Sequence, residues 1–179
     1  MTKYYKMTVA GVERELPICE VNEHLDIAGF VMFSDVELTI ACATELNRCA
    51  PEHDVLITAE SKGIPLAYEM SRQSGKRYLL ARKSPKLYMV DPIEVTVKSI
   101  TTSRIQSLFL DQQDIKYLKG KRVLIVDDVI STGESIAAME SLIEQVGGNI
   151  VCKMAVLAEG EAADRTDIVY LEKLPVFPK

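Results

Sequence analysis

Val123-Leu124-Ile125-Val126-Asp127-Asp128-Val129-Ile130-Ser131-Thr132-Gly133-Glu134-Ser135 runs from apolar residues into two adjacent carboxylates, and a Ser/Thr/Gly turn follows. A continuous apolar run of this length predicts a strand buried on both faces, as in a parallel sheet. The carboxylates then fall at the strand's carboxyl end, where open α/β sheets place their ligands. The turn predicts backbone N–H groups and hydroxyls at a helix N-terminus, a natural phosphate site. Together they suit a sugar phosphate, with the acids on ribose hydroxyls and the turn on the phosphate. The alternative is an acidic turn before an ordinary capped helix, which leaves an acid pair that is costly to bury without partners.

Around this segment the pattern alternates strand and helix. Residues 4–21 predict an N-terminal hairpin, with Val9 and Val12 flanking Ala10-Gly11, and Leu16 and Ile18 flanking Pro17. Asp35 predicts an N-cap for a helix over Val36–Cys49, with Val36, Ile40, Ala43 and Leu46 as its apolar positions. A buried strand over Asp54–Thr58, a helix from Ile64 to Gln73 closed by Ser74-Gly75, and a strand over Lys76–Ala81 follow. Between Arg82 and Lys121 the period changes to two: Ile93, Val95 and Val97 alternate with polar residues, as do Leu108 and Leu110. This predicts an antiparallel ribbon with the polar tip Ser99–Arg104, an excursion of the kind that serves as a lid. A helix over Glu134–Val146, stopped by Gly147-Gly148, and strands over Ile150–Leu157 and Asp167–Leu171 complete the pattern. The fold class expected is α/β: a doubly wound parallel sheet with a small N-terminal hood (1–34) and an antiparallel ribbon (88–112), all in one domain spanning 1–179.

Bulk properties narrow the function. At 179 residues the chain can bury a real core. A formal net charge of −5 argues against a general nucleic-acid binder. No apolar run approaches the roughly 18 residues of a membrane span, and Met1–Lys6 lacks a signal peptide's apolar core, so the expectation is cytoplasmic with no membrane partner. The four cysteines form no C-x-x-C pair, and disulfides are not expected; Cys42 and Cys49, seven apart on one helix, are expected in the core. His24 and His53 lack metal-ligand spacing. Gly120-Lys121 is followed by Arg122, so there is no Walker-type loop.

Val123 to Ser135 closely resembles the phosphoribosyl-pyrophosphate (PRPP) signature of type I phosphoribosyltransferases: an apolar strand, two acids, two variable residues and a Thr-Gly turn. Ala59-Glu60-Ser61-Lys62-Gly63 is similar to the pyrophosphate loop of the purine members. Leu80-Ala81-Arg82-Lys83-Ser84-Pro85-Lys86 resembles the Arg-Lys segment of the adenine and xanthine enzymes. Ala28–Asp35 looks like the base-holding segment of the adenine enzymes, with Phe30 and Phe33 available to pack on a purine, although Ser34 stands where those enzymes carry Arg.

This resemblance implies transfer of 5-phosphoribosyl from PRPP to a purine base, in purine salvage, with magnesium held through substrate oxygens and no direct protein ligand. It assigns Asp127 and Asp128 to the ribose hydroxyls, and Ser131, Thr132, Gly133, Glu134 and Ser135 to the 5-phosphate. Glu60, Ser61, Lys62, Gly63, Arg82, Lys83 and Lys86 fall to the pyrophosphate, and Ser103 and Arg104 to the lid. An acid side chain in the phosphate turn is tolerable if Glu134 offers only its backbone there. Ser131 replaces the acid that hypoxanthine-guanine enzymes carry before Thr-Gly, and Thr101-Thr102 replaces the adenine enzymes' Glu-Tyr, so adenine and xanthine both remain open. The family is usually homodimeric. The alternative is a PRPP-sensing regulator without catalysis, because Val55–Ala67, with Lys62-Gly63-Ile64-Pro65-Leu66-Ala67, resembles that segment of the purine-operon repressor.

Overall fold

The computed structural model describes residues 3–98 and 105–179. Its centre is a five-stranded sheet in which every neighbouring pair is parallel. In chain order the strands are β4 (Val55–Ala59), β5 (Arg77–Ala81), β8 (Arg122–Ile130), β9 (Asn149–Glu159) and β10 (Val169–Leu174), and in space the order is β10-β9-β8-β4-β5. An antiparallel hood is built from β1 (Tyr4–Val9), β2 (Val12–Asn22) and β3 (Leu25–Ala28), with β11 (Val176–Pro178) on the far edge of β3. The ribbon is β6 (Ile93–Lys98) against β7 (Ile105–Leu110), antiparallel. The helices are α1 (Val36–Cys49), α2 (Ile64–Ser74), α3 (Gln112–Leu118) and α4 (Glu134–Val146), and a 3-10 turn covers Gly160–Asp164.

Strand periodicity explains the layering. Val123 and Ile125 of β8 enter one core with α4, the ribbon and Leu118. Leu124 and Val126, pointing the other way, enter a second core with α1, α2 and the hood. All five residues of β4 are buried, as a central parallel strand requires. The expected doubly wound sheet, hood and ribbon are therefore present.

Several local expectations are corrected. The apolar positions named for α1 included Val36 and Ile40, yet these are 67% and 42% exposed, and the buried face is Leu38, Thr39, Cys42, Ala43 and Leu46. Two apolar stripes compete on this helix, and the hood and α2 select one of them. Cys42 is buried but Cys49, in the last turn, is exposed. The stretch after Leu110 is not ribbon: Asp111 accepts from the Gln113 N–H at 2.9 Å and caps α3. The chain also returns to the hood through β11, pairing Val176 with Ile27.

Candidate active site

The topology opens a crevice beside the signature strand. From β4 the chain winds through α2 to β5 on one side; from β8 it winds through α4 to β9 on the other. The reversal lies between β4 and β8, and such a switch point leaves a gap at the strands' carboxyl ends. Here β4 and β8 stay in register only from Val55–Val123 to Ile57–Ile125, whereas β8 remains paired with β9 as far as Ile130–Ala158. Asp127 and Asp128 therefore sit inside β8 on its unpaired margin, slightly before the strand's end.

Two connected hollows occupy the gap. One of about 330 Å³ is walled by Glu60, Ser61, Lys62, Lys83, Asp127 and Asp128, among others. A smaller one of about 40 Å³ is formed by the Ser131–Ser135 turn, and both share Asp127, Val129, Ser131 and Ser135. Gly133 is left-handed at φ +78°, which turns the chain into α4.

The acids are asymmetric. The Asp128 side chain is only 3% exposed, and its Oδ2 has Lys62 Nζ at 3.5 Å as counter-charge. Asp127 accepts the Asp128 N–H on Oδ1 at 2.9 Å. Burial, and then the neighbouring Asp128 charge, push the Asp127 carboxyl well above the usual carboxylate range, while Lys62 pulls it partly back. Gly63 lets this arrangement close up, because a Cβ there would collide with the Thr58 hydroxyl and lie 3.0 Å from Asp127 Oδ1.

The basic segment is organised by Glu60. Its carboxylate accepts from the Lys83 N–H at 3.0 Å and from Arg82 Nη1 at 3.2 Å, with Lys86 Nζ 3.6 Å away. The Lys83 N–H, followed by the Arg82 fork, holds this carboxyl below its ordinary value despite partial burial. Glu60 thus acts toward its neighbours as a clasp for cations. The peptide between Glu60 and Ser61 is cis.

Phe30 is buried in the hood-side core and Phe33 is 47% exposed; neither borders the larger hollow. Ser103 and Arg104 lie outside the described residues. Two site-adjacent groups went unnamed in the sequence. Glu159 ends β9 beside β8; burial raises its carboxyl and the Lys62 charge lowers it. It ends the apolar run Met154–Ala158, so the strand-end rule that found Asp127 would have found it. Arg165 lies against Gly133, a contact with no local signal.

Among the described residues no group of three or more His, Cys, Asp or Glu side chains is placed to hold a metal. Asp128 Oδ2, buried with Lys62 Nζ nearby but no hydrogen-bond partner, and the adjacent Asp127 would suit a magnesium ion carried largely by substrate phosphates.

The crevice thus sets two adjacent acids beside a Ser/Thr/Gly turn at the N-terminus of α4, in a parallel α/β sheet. The model of the phosphoribosyl transferase domain matches residues 39–174, and the chain belongs to that family. It is 40% identical over 110 residues to the adenine phosphoribosyltransferase of Cenarchaeum symbiosum, covering 60% of this chain and 62% of that one. It is 33% identical over 113 residues to the purine biosynthesis transcriptional repressor PurR of Bacillus subtilis, covering 63% of this chain and 39% of that one. A hypoxanthine/guanine phosphoribosyltransferase of Methanococcus voltae is 31% identical over 137 residues, covering 76% and 70%. The chain thus spans less than two thirds of the length of the first two relatives. The crystal structure of adenine phosphoribosyltransferase from Thermoanaerobacter pseudethanolicus has the same fold, with TM-score 0.68 at 19% identity over 95% of each chain. No described helix is long and apolar enough to cross a membrane.

Proposed function

We propose that this chain is a purine phosphoribosyltransferase that transfers the 5-phosphoribosyl group of PRPP to adenine or xanthine. The C1–oxygen bond to pyrophosphate breaks, a C1–nitrogen bond forms, and the products are the nucleoside monophosphate and pyrophosphate. The observation that carries this reading is the approach of Lys62 Nζ to Asp128 Oδ2, 3.5 Å across the crevice. Lys62 and Asp128 line one hollow, which supports reading the first as a pyrophosphate contact and the second as a ribose contact for a substrate bearing both groups on one sugar.

In this reading Asp127 and Asp128 hold the ribose hydroxyls, and their negative charge favours the oxocarbenium-like transition state. Ser131–Ser135 hold the 5-phosphate with backbone N–H groups at the α4 N-terminus. Lys62, Arg82, Lys83 and Lys86 receive the pyrophosphate, with Lys62 released from Asp128 and the other cations drawn from Glu60. Magnesium, when bound, supplies charge neutralisation on the leaving pyrophosphate. The protein's contribution is positioning and fixed electrostatics. In this reading Phe30 and Phe33 belong to the base-holding segment.

The adenine-enzyme relative supports adenine, and Ser131 in place of an acid speaks against hypoxanthine and guanine; the hypoxanthine/guanine relative keeps both bases in the test. A cytoplasmic homodimer accompanies the reading. The repressor relative supports a second one, a PRPP-sensing regulator. The deciding experiment incubates the protein with PRPP, magnesium and each of adenine, xanthine, hypoxanthine, guanine, uracil and orotate, and identifies the nucleotide by chromatography. AMP or XMP is expected. No product from any base, alongside a melting-temperature rise with PRPP and magnesium, would favour the regulator. No shift at millimolar PRPP would remove both readings.

A further inference from the structure

Arg165 lies between the 3-10 turn and β10. Its Nε and Nη2 donate to the two oxygens of Asp167 at 2.9 and 2.7 Å. Asp167 also accepts from Lys153 Nζ at 2.5 Å, and Lys153, only 13% exposed, donates to Glu140 of α4 at 2.6 Å. This relay runs from α4 through β9 to the loop before β10. It ties the guanidinium to the same helix whose N-terminus forms the phosphate turn. The remaining nitrogen, Nη1, has no partner among the described residues. It rests against Gly133, so closely that a Cβ on Gly133 would fall on it.

We propose that Arg165 is the side-chain cation of the phosphate turn, presenting Nη1 to the phosphate monoester held by Ser131–Ser135. The proposal rests on the phosphoribosyl reading above and adds a residue to its phosphate subsite. A monoester near neutral pH carries more charge than the roughly half-unit dipole of one helix end offsets. The turn's own side chains, Ser131 to Ser135, supply no cation. Arg165 provides a guanidinium N–H donor beside the turn, and Asp167 fixes the fork beforehand, so little side-chain freedom is lost on binding. Gly133 then has two duties: it takes the left-handed turn, and it leaves room for the guanidinium.

The test titrates ribose 5-phosphate and pyrophosphate separately into the wild-type chain, Arg165→Met and Arg165→Lys by calorimetry. Arg165→Met is expected to weaken ribose 5-phosphate about 10-fold, which is about 1.4 kcal/mol, and to leave pyrophosphate within about 2-fold. Arg165→Lys, which keeps the charge and loses the fork, is expected to fall between. Unchanged ribose 5-phosphate affinity in Arg165→Met would overturn the proposal. So would equal weakening of both ligands, which marks a purely structural residue. If the wild-type chain binds neither ligand, the phosphoribosyl reading fails and takes this one with it. Should the variants not fold, phenylglyoxal labelling of the wild-type chain decides the matter. Ribose 5-phosphate should slow modification of Arg165 several-fold and pyrophosphate should not; equal rates would overturn the proposal.

Discussion

Adding one methyl group at Gly63 tests whether the crevice is packed as described. Its backbone, φ −74° and ψ −8°, is ordinary for alanine, so Gly63→Ala brings no backbone strain. On that ground alone the change should stabilise by about 0.4–1 kcal/mol through the unfolded chain. Packing opposes it. The new Cβ would collide with Thr58 Oγ1 and stand 3.0 Å from Asp127 Oδ1 and 3.4 Å from Asp127 Cα. Thr58 is fully buried and Asp127 is held in β8, so neither can swing away cheaply. Overpacking of this kind costs about 1–3 kcal/mol. The net expectation is a loss of about 1–2 kcal/mol, or a Tm lower by about 2–8 °C for a chain of this size. Thr58→Ala should relieve the clash, and its hydroxyl, buried with no hydrogen-bond partner, gives up nothing in leaving. Gly63→Ala/Thr58→Ala should therefore recover about 1 kcal/mol relative to additivity. Thermal melts of the four proteins decide it: an unchanged or higher Tm in Gly63→Ala, or no recovery in the double variant, would refute the reasoning.

Asp128→Asn should retain the fold, because the amide keeps the shape of a side chain whose Oδ2 makes no hydrogen bond, yet lower kcat/KM by about 100-fold or more through loss of transition-state charge stabilisation; near-normal turnover would remove its ribose-holding role. The raised Asp127 carboxyl means that the folded state binds this proton more tightly than the unfolded one, so stability falls as pH climbs out of the ordinary carboxylate range. Asp127→Asn should abolish that slope, and its Tm advantage over wild type should grow between pH 4 and pH 8; a constant difference would contradict the burial argument. Asp167 has the opposite sign: Arg165 first and then Lys153 hold its carboxyl low, so its contribution is present at neutral pH and lost as acid protonates it. The Tm deficit of Asp167→Asn should accordingly shrink below about pH 4, and melts across that range will show whether it does. Gly133→Ala must adopt φ +78° and displace Arg165, so it should weaken ribose 5-phosphate more than pyrophosphate in the same titration.

What could be read from the sequence divides by whether the signal is local. The run Val123–Val126 announces a strand buried on both faces because each of its residues must meet a hydrophobic layer whichever way it points, and the structure sends Leu124 and Ile125 to opposite cores. Asp35 as cap and Gly75 as stop act within a turn of their helices, and they set those boundaries close to where they were expected. The face of α1 was different. Val36, Ile40, Ala43 and Leu46 make one acceptable stripe, and Leu38, Cys42 and Leu46 make another; the helix cannot choose without the hood and α2 beside it. Helix α3 was lost because seven residues give too few turns for a period to register, and only its Asp111 cap marks it. The site divides in the same way. Each strand end and turn carried its own chemistry in one short segment, so Lys62 and Asp128 were nameable separately. Their approach depends on β8 lying next to β4 although α2, β5 and the whole ribbon intervene in the chain. Strand order is a property of the packed sheet, and Arg165 is the extreme case: its partner Gly133 is thirty-two residues earlier, joined to it by a helix, a strand and three ion pairs that no stretch of sequence displays together.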